Sequence, residues 1–89
     1  MKAIISVIGV DKVGIIAKVS NALYEMGINI EDISQTIMQD RVFTMTMMIG
    51  DTDDTSMKTL NEKMQSIAKE MNVDIRLQQE DIFLSMHRI

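Results

Sequence analysis

The fold is decided by the stretch DKVGIIA at residues 11–17, together with GINI at residues 27–30. An acidic residue and a glycine lie between an apolar run and an amphipathic segment, and Gly27 precedes another apolar run. This pattern predicts a strand, a tight loop, a helix that begins near Gly14, a second tight loop and a second strand. The first turn of such a helix has unpaired N–H groups and a positive dipole end, which favour a small carboxylate ligand.

The composition predicts one domain over residues 1–89 with an aliphatic core. Apolar residues make up 46% of the chain, yet it has one Tyr and two Phe, so Ile, Val, Leu and Met must build the core. The net charge of −4 argues against nucleic-acid binding. No apolar run approaches the roughly 20 residues of a membrane span. The absence of cysteine is compatible with the cytoplasm, and Asp11 directly after the first apolar run argues against a signal peptide.

The remaining chain extends the pattern on both sides of this stretch. Residues 2–10 are apolar at both odd and even positions, hence on both faces of a strand, which is typical of a central strand. Residues 14–26 carry one apolar helical stripe. Strands are predicted at 28–39 and 41–50, joined by a turn at Asp40. A helix that ends near Met71 then precedes a last predicted strand at 73–78. The order βαββαβ predicts an α+β, ferredoxin-like fold, with a four-stranded antiparallel sheet and both helices on one face.

The opposite face of that sheet is expected to be an apolar patch, which monomers rarely expose. Two covers are available to it. Residues 80–89 carry apolar side chains at helical spacing and are expected to form a short helix or extension that folds back over the core at 2–79. A second subunit is the other cover, so we expect a homo-oligomer.

These residues and this element order resemble the ACT domain family of small ligand-binding modules. The resemblance covers residues 2 to about 79 and rests on DKVGI at 11–15, GINI at 27–30 and the order of the elements. The chain length and the ending MHRI resemble stand-alone bacterial and archaeal members. The run NIED at 29–32 is also similar to the glycine cleavage system repressor, which has two such domains.

The resemblance implies a regulatory module that binds a small molecule between two subunits paired side by side. The expected ligand is an amino acid. Carried over, one wall of the site comprises Asp11, Val13, Gly14 and Ile15, and the neighbouring subunit contributes Asn29 and Ile30. Serine-binding members place a neutral polar residue in the first loop and commonly have proline at the position of Val13. Asp11 would instead repel a ligand carboxylate and pair with an ammonium group.

Three of these residues also have purely structural interpretations. Asp11 is expected to be the N-cap of the first helix, which does not exclude a ligand contact. Gly14 either packs closely against a strand or admits a ligand to the backbone. Asn29 either bonds its local backbone at the strand entry or presents its amide to the ligand. Gly27 is expected to be a helix C-cap only.

No metal or cofactor is expected. Asp51, Asp53, Thr55 and Glu62 match part of a calcium loop, but Ser56 occupies the position of its glycine, so helix capping is favoured. The methionines follow core stripes, which favours packing over copper binding. One histidine and no cysteine exclude a zinc site or a triad within one chain.

The sequence leaves two candidate functions of different classes. The first is a cytoplasmic, non-catalytic module that binds a metabolite and signals to a partner protein. The second is an assembly subunit that binds no ligand and docks through its sheet edge and tail. An enzyme is not expected, because no catalytic constellation is present.

Overall fold

The six predicted elements are all present, in the predicted order. The structure is a computed structural model that describes residues 2–10, 14–37, 42–50 and 53–79. The elements are β1 (Ala3–Val10), α1 (Ile15–Glu25), β2 (Ile30–Ile37), β3 (Val42–Ile49), α2 (Asp54–Met71) and β4 (Asp74–Gln79). The predicted turn at Asp40 and the predicted extension at 80–89 lie outside the described residues.

The strands form one antiparallel sheet in the order β2-β3-β1-β4. β1 pairs with β3 from Ala3 opposite Ile49 to Val10 opposite Val42, and β2 pairs with the other side of β3. The prediction of a ferredoxin-like α+β fold is therefore confirmed. β2 and β4 are the edges of the sheet, and β2 contains a bulge between Ile30 and Asp32.

The core lies between the helices and one face of the sheet. Alternate residues of β1 and β3 face the helices, and the buried cluster is aliphatic apart from Phe43: it includes Ile5, Val7, Met45, Met47, Ile49, Val19, Leu23, Leu60, Met64 and Ile75. Burial of these side chains is the main term that stabilises the fold. The predicted helical stripe of α1 packs here, as do the apolar residues of α2.

The helix ends follow the predicted chemistry at the end of α1 and the start of α2. After α1, Gly27 has φ +71°, and the N–H groups of Gly27 and Ile28 donate to the carbonyls of Tyr24 and Leu23, a Schellman motif. Asp53 caps α2 by accepting from Ser56 N–H at 2.7 Å. Asn72 ends α2 at φ 57°. The prediction that Asp11 caps α1 is wrong, because Gly14 holds the N-cap position.

The open face of the sheet is less apolar than predicted. Of its residues on β1, Ile4 is buried, whereas Ile8 and Val10 are exposed. Between them, Ser6 pairs with Thr46, and Thr46 pairs with Ser34, so a band of hydroxyl groups crosses the face. The expected continuous patch is therefore divided, because the register aligns polar residues from three strands. Within the described ranges, no helix is long and apolar enough to cross a membrane.

Candidate ligand-binding site

The first wall of the predicted site is built around Gly14. This residue is exposed and has φ +89°, a conformation that glycine adopts without a Cβ penalty. A Cβ built on Gly14 would find no heavy atom of the described structure within 4 Å. Space beside the backbone is therefore open, which removes close strand packing as the reason for a glycine here. Asp11 and Val13 lie outside the described residues.

Among the described residues, little compensates the positive dipole at the amino end of α1. Gly14 has no side chain with which to cap, and the first turn contains no acidic residue. The Gly14 carbonyl accepts the first intrahelical bond from Lys18 N–H at 3.0 Å. The N–H groups of Ile15, Ile16 and Ala17 precede the first helical donor, so this end can bind an anion through the backbone.

At this wall, the side chain and the backbone of Ile15 have different roles. Its side chain is 2% exposed and belongs to the hydrophobic core cluster. Only its backbone N–H therefore remains for a ligand. The side chain instead anchors the first turn of α1 to the sheet, which holds the N–H groups in place.

The second wall, Asn29 and Ile30, precedes and begins β2. The Asn29 carbonyl accepts from Gly50 N–H at 2.8 Å, which ties the strand entry to the end of β3. The Asn29 side chain is exposed, and within the described ranges no hydrogen bond involves it. Ile30 is 39% exposed. Both side chains are thus presented outward, which favours contact with something beyond this chain.

The two walls lie at opposite ends of the sheet within one chain. Gly14 follows Val10, which pairs with Val42, whereas Ile30 pairs with Ile49, whose partner on β1 is Ala3. The eleven residues of α1 separate the two ends by about 16 Å. A molecule the size of an amino acid cannot touch both walls of a single chain.

The edge between the walls is unusually receptive to pairing. All eight residues of β2 are exposed, among them Ile33 at 41% and Ile37 at 67%. The span 33–37 has no charged residue, whereas such edges are commonly protected by charge. The opposite edge, β4, carries Asp74 and Arg76, which pair at 3.3 Å. The two edges therefore differ, and β2 is the one suited to adding a strand.

Sequence reasoning missed a groove of about 260 Å³ between α1 and α2, lined by Lys18, Asn21, Ala22, Glu25, Lys63, Ser66 and Ile67. Ion pairs between Lys18 and Glu70 at 2.5 Å and between Lys63 and Glu25 at 3.8 Å cross it. Charges at helical spacing were visible in the sequence, but their meeting across two helices depends on tertiary packing. All four charged partners are largely exposed, so these pairs add little stability.

In the acidic loop before α2, Asp53 caps the helix. The hydrogen bond from Ser56 N–H is the main cause that lowers the pKa of Asp53 below its ordinary value. Among the described residues, no three acidic or histidine side chains gather as a metal site would require. Asp51, the first position of the partial calcium pattern, lies outside those residues.

The comparisons with known sequences and with known structures agree on one family. The sequence profile of the ACT domain matches residues 3–69. A UPF0237 protein of Clostridium acetobutylicum is 51% identical over 90 residues, and the alignment covers 100% of both chains. An ACT domain protein from Streptococcus pneumoniae superposes with a TM-score of 0.78 at 41% identity, covering 93% of each chain.

Two more distant structures share the fold. A protein assigned as a glycine cleavage system transcriptional repressor has a TM-score of 0.75 at 18% identity, covering 86% of this chain and 44% of that chain. The ligand-free regulatory subunit of aspartate kinase from Thermus thermophilus has a TM-score of 0.68 at 27% identity, covering 86% of this chain and 50% of that chain. This chain thus corresponds to about half of each of those proteins.

Proposed function

Since this chain belongs to the ACT domain family, we propose that it is a single-domain regulatory module that binds an amino acid between two copies of itself. The first copy supplies the amino end of α1 with Gly14, and the second supplies Asn29 and Ile30. The module is cytoplasmic, has no catalytic activity and acts on a separate partner protein. Binding energy reaches that partner because the ligand favours one arrangement of the subunits.

One observation carries this proposal: the two walls lie at opposite ends of one sheet. β2 begins near the Ala3 end and finishes near the Val10 end. If two β2 strands pair antiparallel about a two-fold axis, the start of one lies beside the finish of the other. The partner's Asn29 and the partner's Ile30 are then brought towards Gly14. Pairing of two chains thus assembles a site that one chain cannot form.

The chemistry of the walls favours a zwitterion. The N–H groups of the first α1 turn suit a carboxylate, and the exposed Asn29 amide can donate or accept. We propose that Asp11 pairs with the ligand ammonium group, which would select amino acids over simple carboxylates. Val13 is proposed to contact the ligand side chain. The similarity to the regulatory subunit of aspartate kinase supports a regulatory role.

A thermal-shift panel of the common amino acids tests the proposal. A ligand at a hundred times its Kd stabilises the folded state by about 2.7 kcal/mol, which raises Tm by on the order of 10–20 °C in a domain of this size. Asn29→Ala should remove the shift and leave the ligand-free Tm nearly unchanged, because Asn29 is exposed. Asn61→Ala, at another exposed asparagine, on α2, is the matched control.

A second candidate function is the ligand-free assembly subunit. The exposed β2 edge, uncharged from Ile33 to Ile37, favours it, because that edge would pair whether or not a ligand binds. A dimer in solution with no thermal shift from any amino acid would favour assembly alone. A shift that persists in Asn29→Ala would place the site elsewhere.

A further inference from the structure

Lys2 and Glu31 form an ion pair beside the second wall of the candidate site. We propose that both are positioning residues for ligand binding: their ion pair holds the start of β2 so that Asn29 and Ile30 meet the ligand. This inference rests on the proposed function and adds to it two residues that belong to neither wall. The pair acts through Asn29 and Ile30, without a contact of its own with the ligand.

The pair crosses three strands at one end of the sheet. Lys2 precedes Ala3 on β1, and Glu31 lies in the bulge of β2 between Ile30 and Asp32. The Lys2 Nζ atom donates to Glu31 Oε1 at 2.6 Å. Because β3 lies between β1 and β2, the lysine side chain must span the end of β3 to reach the carboxylate.

Gly50, directly after β3, leaves room for that crossing. Ala3 pairs with Ile49, so the lysine and Gly50 occupy the next row of the sheet. A Cβ built on Gly50 would lie 3.4 Å from Glu31 Oε2 and 3.7 Å from Asn29 Cβ. The carboxylate and the asparagine side chain therefore flank the same side-chain-free position. The ion pair thus borders the residue that is proposed to contact the ligand.

The bulge makes the start of β2 an irregular part of the sheet. The Gly50 N–H donates to the Asn29 carbonyl at 2.8 Å, and Ile30 pairs with Ile49, but the register shifts before the next pair. A bulge disrupts the ladder locally and leaves its extra residue without a backbone partner. Glu31 is that extra residue, and its ion pair supplies a side-chain tether where the ladder is interrupted.

The pair contributes to the geometry of the strand entry more than to stability. Its side chains are 44% and 37% exposed, and ion pairs this exposed add little to the free energy of folding. A small preference is still enough to bias the strand entry towards its binding-competent arrangement, and the apparent Kd rises as that population falls. Loss of the pair should therefore raise the Kd about two- to fivefold while the ligand-free Tm hardly changes.

Charge reversal in the full-length protein tests the positioning role. Lys2→Glu and Glu31→Lys each remove the attraction, and the double variant restores it with the charges exchanged. Calorimetric titration uses the amino acid that gives the largest thermal shift with the natural chain. Both single variants should raise its Kd about two- to fivefold, and the double variant should restore it. Arg76→Glu breaks the exposed pair with Asp74 on the opposite edge, makes the same change in net charge as Lys2→Glu, and should leave the Kd unchanged.

The direction of the two single changes separates positioning from the effect of charge alone. A field that acts directly on the ligand would change the Kd in opposite directions, because Lys2→Glu adds negative charge and Glu31→Lys adds positive charge. Hydrogen exchange of the Gly50 amide, which bonds to the Asn29 carbonyl, reports the strand entry without any ligand. This exchange should be faster in both single variants and slow again in the double variant.

The outcomes separate this inference from the proposed function. An unchanged Kd in both single variants, or changes of opposite direction, would overturn the positioning role and leave the site shared by two chains standing. Unchanged exchange of the Gly50 amide would also overturn it, because the pair would not hold the strand entry. If no amino acid binds the natural chain, the proposed function fails, and the positioning role fails with it.

Discussion

At the scale of single residues, close backbone approach explains one glycine that the sequence did not single out. Gly9 lies on β1 opposite Phe43, and a Cβ built there would meet Val73 Cγ1 at 2.4 Å and Val73 Cβ at 3.0 Å. Because valine is stiff at χ1, the clash cannot be relieved by one rotamer change. Gly9 therefore allows the segment between α2 and β4 to pack against the sheet.

Gly9→Ala should lower the free energy of unfolding by about 1–3 kcal/mol, the usual cost of overpacking. Urea unfolding of Gly9→Ala, Val73→Ala and the double variant measures the coupling of the two sites. In the Val73→Ala background the cost of Gly9→Ala should be much smaller, because the opposing methyl groups are gone. An equal cost in both backgrounds would contradict the proposed contact.

Asp53 gives a prediction of pH dependence. Its pKa is lowered in the folded state by the hydrogen bond from Ser56 N–H. A group with a lowered pKa stabilises the fold above its unfolded-state pKa, and this contribution disappears as the pH falls through the folded-state pKa. Asp53→Asn retains a capping acceptor but cannot titrate.

The difference in Tm between the natural chain and Asp53→Asn should therefore change between pH 7 and the acid range below about pH 4, where aspartate protonates. The natural chain should lose relative stability on acidification. Melting curves of both proteins in parallel check this. A difference in Tm that is constant with pH would show that the carboxylate does not cap α2.

At the scale of elements, the edge strand β2 is the feature with most consequence. Its isoleucines are exposed, so substitution there should affect association and not folding. Ile33→Lys introduces a buried, unpaired charge into the proposed dimer contact, which is costly. Size-exclusion chromatography with light scattering should show monomers, with Tm reflecting only the loss of assembly. Asn61→Lys on α2 is the matched control and should remain dimeric; a dimeric Ile33→Lys would contradict the β2 contact.

The elements themselves were largely predictable, since each follows from a local pattern. The alternation in β3 and the stripe of α1 predicted strand, helix and buried face, and Gly27 predicted the end of α1. The N-cap of α1 was mispredicted because the pattern 11–14 offers both an acid and a glycine, and nothing local decides which residue directly precedes the helix. The hydroxyl band was missed because it depends on how β1, β2 and β3 align, and register is a tertiary property.

At the scale of the whole molecule, the proposed ligand site depends on the pairing of two chains. The candidate residues were identified by resemblance, but their separation within one chain became visible only from the sheet topology. Gly14 and Asn29 lie at opposite ends of α1, and the β2 edge between them, uncharged from Ile33 to Ile37, offers the means to join two copies. Under the proposed function, a ligand held by two chains would stabilise their pairing, and this would be the regulatory signal.

A complementation experiment with two damaged chains tests whether the ligand site is shared between two copies. Gly14→Asp places a carboxylate at the amino end of α1 and repels a ligand carboxylate, while Asn29→Ala damages the other wall. Neither homodimer should bind the amino acid that shifts the Tm of the natural chain. When the two variants are mixed, calorimetric titration should show binding restored at about a quarter of the sites, since half the dimers are mixed and each has one intact site. Mixed dimers that form but bind no ligand would contradict a site shared between two chains.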